Sequence, residues 1–157
     1  EYVQGAWDEG QAHKVFTAVS EDLIHWEQEG LAVTGPYADP TVVCDGQGGC
    51  EMLSFGLDRA TSKDGGATFT FHGPIGVRGF APDALLAPGE PPRFYYSDKQ
   101  FGAPLRSMVK DGEGWRVEPG ERMPGTYSEA PTFAPDGQGG WLMYFHTFMD
   151  PSDIPRR

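Results

Sequence analysis

The chain has 157 residues, enough for one domain with a real core, and it combines 22 Gly and 14 Pro with 13% aromatic residues. That mixture is too aromatic for a disordered chain and suits many short strands joined by tight turns. A net charge of −11 with only 12 Lys plus Arg argues against nucleic acid and against an anionic membrane surface as partners. No apolar run approaches the ~18 residues of a membrane span.

The opening Glu1-Tyr2-Val3-Gln4 does not read as a signal peptide, and a signal cleaved upstream is compatible with it. Lys14-Val15-Phe16-Thr17-Ala18-Val19 reads as a strand, and Ser20-Glu21-Asp22-Leu23-Ile24-His25-Trp26 as a polar turn closed by an aromatic. Asp39-Pro40 opens the next strand, and residues 40–49 read PTVVCDGQGG. Cys44 and Cys50 flank that turn. Cross-strand Cβ atoms sit ~4.5–5.5 Å apart and a disulfide wants ~3.5–4.5 Å, so a bridge and two buried thiols both stay open. A bridge would imply an oxidising compartment, whereas two cysteines are a weak basis for zinc. An apolar strand at 50–55 leads to the turn SKDGGATF at 62–69.

Ala81-Pro82-Asp83 starts another strand, residues 83–92 read DALLAPGEPP, and Arg93-Phe94-Tyr95-Tyr96-Ser97 follows as an aromatic strand. Residues 109–115 again read as a polar Asp turn closed by Trp115. Ser128-Glu129-Ala130-Pro131 starts a further strand, residues 131–140 read PTFAPDGQGG, and Trp141-Leu142-Met143-Tyr144-Phe145 follows. Residues 149–157 read as a loop.

Two features recur in one phase. Pro40, Asp83 and Pro131 are 43 and 48 residues apart, and Asp22, Asp64 and Asp111 are 42 and 47 apart. A period of ~40–50 residues with four short strands each predicts an all-β chain of β-propeller blades, each blade a four-stranded antiparallel sheet. Helix signals are nearly absent, because Gly and Pro interrupt every window. The expected division is the end of one blade at 1–34, whole blades at 35–77 and 78–123, and the start of a blade at 124–157. Three blades' worth leaves the ring incomplete in one chain, so a longer chain or a head-to-tail pair of copies is expected to complete it. Asp22, Asp64 and Asp111 are read as turn-formers that accept backbone N–H bonds, each followed by an aromatic that packs between sheets.

The acids at the three strand starts are the candidate chemistry. Asp39, Asp83 and Glu129 come from different blades and would converge near one axis. Paired carboxylates there can run glycoside hydrolysis: one protonates the leaving oxygen while another activates water or attacks. A third carboxylate tunes the acid by like-charge repulsion. The same acids also serve a purely structural role, capping backbone N–H groups where Pro opens a strand. The fold class alone does not decide between them.

The series DP, APD, EAP, each opening a strand, resembles the five-bladed β-propeller glycoside hydrolases of family 43 and their fructan- and mannoside-processing relatives. Ser20-Glu21-Asp22-Leu23-Ile24-His25-Trp26 resembles their SxDLxxW segment, and SKDGGATF resembles the Asp-box of sialidases and other propellers. The resemblance implies Asp39 as general base, Asp83 as the residue orienting and tuning the acid, Glu129 as general acid, and inversion of configuration. It implies a carbohydrate partner in a secreted or periplasmic setting. Tyr37, Phe80, Tyr127 and Trp141 are candidates for a sugar-stacking platform, and His146 for a channel-facing position. His25 and His72 are read as surface or packing residues, and His13 carries no signal. No cofactor is expected, the one compatible cation being a lone calcium near the axis. There is no GxSxG or HExxH motif, and Arg59, Arg78, Arg93 and Arg106 show no triad spacing. The alternative reading is a non-catalytic carbohydrate-binding or structural propeller segment.

Overall fold

The computed structural model describes residues 13–35, 39–98, 104–123 and 128–147. Over these residues the chain is all-β, with twelve strands in four antiparallel sheets and no helix. Strands β1 (His13–Val19) and β2 (Glu27–Gly35) pair as the first sheet. The second is a meander of β3 (Thr41–Cys44), β4 (Cys50–Leu53), β5 (Asp58–Ser62) and β6 (Thr70–Pro74). The third is a meander of β7 (Phe80–Leu85), β8 (Arg93–Ser97), β9 (Leu105–Asp111) and β10 (Gly114–Val117). Strands β11 (Ser128–Pro135) and β12 (Trp141–Thr147) form the fourth.

Local chemistry explains the turns. In both DGQGG segments the Asp carboxylate folds back over its own loop. Asp45 Oδ1 accepts the N–H groups of Gln47 at 2.7 Å and Gly49 at 3.0 Å, and Asp136 Oδ1 accepts those of Gln138 and Gly140 at 2.8 Å. A Cβ on the last glycine would lie 2.5 Å from that carboxylate, at Gly49 and Gly140 alike, so a larger residue there would have to displace the Asp from its bonds. The first turn brings Cys44 directly opposite Cys50, with Cα atoms 4.1 Å apart, and the two are joined as a disulfide.

The Asp turns divide. Asp22 Oδ1 accepts the N–H groups of Ile24 and His25 at 2.8 Å, and the His25 ring bonds its other oxygen at 2.7 Å, which holds the carboxyl well below its usual range. Asp64 is bonded by Ser62 and Thr68 and is held down to about 2. Asp111 departs from the expected role. A two-residue hairpin, Gly112-Glu113, joins it to Gly114 through the backbone ladder, and its carboxylate faces Arg116 instead at 3.3 Å.

Neighbouring residues of one strand face opposite sides of a sheet. Met52 accordingly joins Val33 and Ala60 against the first sheet, while Leu53 joins Leu57, Phe94, Tyr96 and Met108 against the third. The second sheet is thus covered on both faces. Burying one large side chain there contributes roughly 1.5–3 kcal/mol. Phe69 packs on the first cluster and Trp115 on the second, as expected of aromatics after an Asp turn. Trp26 does not: it is 58% exposed. The third and fourth sheets meet through the Tyr95 and Phe133 rings, 4.4 Å apart.

Candidate functional site

Three strand starts share one backbone geometry. Asp39, Ala81 and Ala130 have positive φ angles of 48°, 46° and 46°, and each immediately precedes a proline. Left-handed geometry is unfavourable for residues with a Cβ, and a following Pro narrows their choices further. Strain of this kind costs roughly 1–3 kcal/mol per residue and gathers at functional sites. In β7 and β11 the strained pair also forms a bulge. The register runs Phe80 to Ser97 and then Asp83 to Tyr95, and likewise Glu129 to His146 and then Thr132 to Tyr144. A bulge of this type re-aims the side chains on either side of it. Those side chains are Phe80 and Asp83 in one strand, Glu129 and Thr132 in the other.

The strands carrying these starts are neighbours: β3 lies against β7, and β7 against β11. A hydrogen bond between sheets links two of them. Thr41, buried two residues after Asp39, donates its Oγ1 proton to Asp83 Oδ1 at 3.2 Å. The Ala84 N–H donates to the same oxygen at 2.9 Å. Asp83 and Glu129 are half-buried, and Asp39 is exposed. The start of β11 is fixed by Ser97, whose buried hydroxyl donates to the Ser128 carbonyl at 2.7 Å.

The remaining candidates separate. Phe80 is half-buried with its ring 5.0 Å from that of Phe55, so part of its surface is committed to packing. His146 is exposed and sits directly across from Glu129. Trp141 pairs with Pro135, at the opposite end of β11 from Glu129, which removes it from a platform at the acids. Tyr37 and Tyr127 lie outside the described residues. Thr41 and Ser97 escaped sequence reasoning. The signal for Thr41 was its offset, since it follows Pro40 as Asp83 follows Pro82.

Several of the cations form structural pairs. Arg93 bonds Glu118, and Arg106 bonds Asp98. Arg59, Lys110 and the Trp115 indole N–H all converge on Glu51. Burial pushes the Glu51 carboxyl up, but bonds from Arg59 and Lys110 outweigh it and leave it below its usual value. A groove of about 640 Å³ runs between the second and third sheets, lined by the disulfide, Glu51, His72, Leu86, Lys110 and Trp115. It opens at the Cys44 end of β3, away from the candidate acids. His72 is exposed and bonds Thr61 Oγ1 at 2.7 Å, and His25 is exposed, in keeping with surface roles. Among the described residues no group of three or more His, Cys, Asp or Glu is placed to hold a metal ion.

No protein-family model, curated protein or solved structure matches the chain.

Proposed function

We propose that the chain is part of a β-propeller glycoside hydrolase, with Asp39 as general base, Asp83 as the orienting acid and Glu129 as general acid. The four sheets serve as successive blades in this reading, and β3, β7 and β11 as the innermost strands. The observation that carries it is the Thr41–Asp83 hydrogen bond together with three strained X-Pro strand starts on adjacent strands. The same left-handed geometry recurs before the proline of each strand start, beside or at each of the three acids. An inverting hydrolase needs an acid and a base on opposite sides of the scissile bond, with room for a water between them. Acids supplied by different sheets offer such a separation. The Cys44–Cys50 disulfide supports a secreted or periplasmic setting.

The test is hydrolysis of aryl arabinosides, xylosides and fructosides. Turnover of one of these that falls by at least about a hundredfold in Glu129→Gln, in line with the usual contribution of a general acid, supports the reading. Turnover unchanged in that variant overturns the assignment. Glycan binding without any turnover favours the non-catalytic alternative.

A further inference from the structure

We infer that Thr41 is a positioning residue that holds Asp83 in its working orientation, an inference that rests on the glycosidase reading above. Thr41 is buried at 9% exposure, and its hydroxyl reaches out of the second sheet to the Asp83 carboxylate of the third. A hydroxyl in that position requires a partner, since an unmade hydrogen bond at a buried site is costly. The partner it takes is a candidate acid rather than a backbone group.

The geometry gives the contact a purpose. Both Thr41 Oγ1 and the Ala84 N–H donate to Oδ1 of Asp83, so two donors on one oxygen fix the plane of the carboxylate while Oδ2 takes neither. One donor comes from Asp83's own strand and the other from the strand that carries Asp39. The orienting acid and the base are therefore tied through two residues of backbone. Asp83 also sits just after the bulge of β7, where side-chain aim depends on what grips it. Strand β7 lies between β3 and β11, so the grip on Asp83 fixes the middle member of the three.

The experiment compares the wild-type chain with Thr41→Val, which keeps shape and β-branching but loses the hydroxyl, and with Thr41→Ser, which keeps it. On the aryl glycoside that the wild type cleaves, Thr41→Val is expected to lower kcat about tenfold, the loss of one hydrogen bond to a charged group, with KM little changed. Thr41→Ser is expected to recover most of that loss. A merely structural threonine would lower the melting temperature without this split between kcat and KM. Wild-type kcat in Thr41→Val, or an equal loss in Thr41→Ser, overturns the inference. A wild-type chain that cleaves none of the glycosides overturns the glycosidase reading instead. Melting temperatures then decide the contact by themselves: additive effects of Thr41→Val and Asp83→Ala would show that the two side chains are not linked.

Discussion

Replacing Glu51 by Gln keeps the shape of a side chain that anchors two sheets while removing its charge. Glu51 lies on β4, receives Arg59 from β5 in its own sheet at 3.1 Å, and receives Lys110 and Trp115 from β9 and β10 of the next. The carboxylate is 18% exposed, and Arg59 and Lys110 are each 21% exposed. Exposed ion pairs contribute about 0–1 kcal/mol, and breaking a fully buried pair costs about 3–5 kcal/mol. A cluster about one-fifth exposed falls between these limits, at roughly 2–3 kcal/mol, in line with the loss of hydrogen bonds to a charged acceptor. For a chain of this size each kcal/mol moves the melting temperature by about 2–4 °C. Glu51→Gln should therefore melt about 4–12 °C below the wild type near neutral pH. Acid should erase the difference. The folded Glu51 carboxyl lies below its ordinary value of 4.5, so its contribution is present above that value and disappears as pH falls through the lowered one. The assay is thermal unfolding by circular dichroism across acid to neutral pH. Equal melting at neutral pH, or a difference that persists in strong acid, would refute the account of Glu51 as an ionic anchor.

Two further perturbations follow from packing and covalent structure. Gly79→Ala would set a Cβ 2.4 Å from Tyr96 and 2.8 Å from Leu57, both buried, so overpacking should cost about 1–3 kcal/mol; denaturant unfolding with an unchanged midpoint would contradict it. Reducing the Cys44–Cys50 bridge, which closes a sequence separation of 6, should cost about 2 kcal/mol by the chain-entropy estimate and lower melting by about 4–8 °C; identical melting with and without reductant would contradict it.

Much of the strand pattern is legible in the sequence because its cues are local. Apolar and aromatic runs between turn residues mark 14–19 and 93–97, and DGQGG can close in few ways once its Asp accepts two backbone N–H groups. What is not legible depends on neighbours. Cys44 and Cys50 face each other for any hairpin of that length, but whether they bridge depends on fractions of an ångström set by twist. Asp111 looks like Asp22 and Asp64 in sequence, yet its shorter hairpin takes the backbone bonds and leaves the carboxylate for Arg116. Trp26 carries the same signal as Phe69 and Trp115, yet those two pack on core clusters while Trp26 is exposed.

The candidate site divides along the same line. The sequence offers three acids at strand starts but cannot say whether their strands touch, because adjacency arises from sheet-on-sheet packing. Register supplies the missing step. Counting from the prolines, Thr41, Asp83 and Thr132 hold the same position on β3, β7 and β11, while Asp39 aligns with Ala81 and Ala130, and Glu129 with Phe80. The three acids therefore occupy three different offsets on three adjacent strands. Acids repeated at one offset would suggest a backbone cap serving the same local need in each sheet. The strained X-Pro residue recurs at one fixed offset, while the acids are staggered: Asp39 is that residue, and Asp83 and Glu129 stand on either side of it in their strands. The division of labour proposed for them, as base, orienting acid and general acid, calls for such asymmetry, since each would meet a different atom of one substrate.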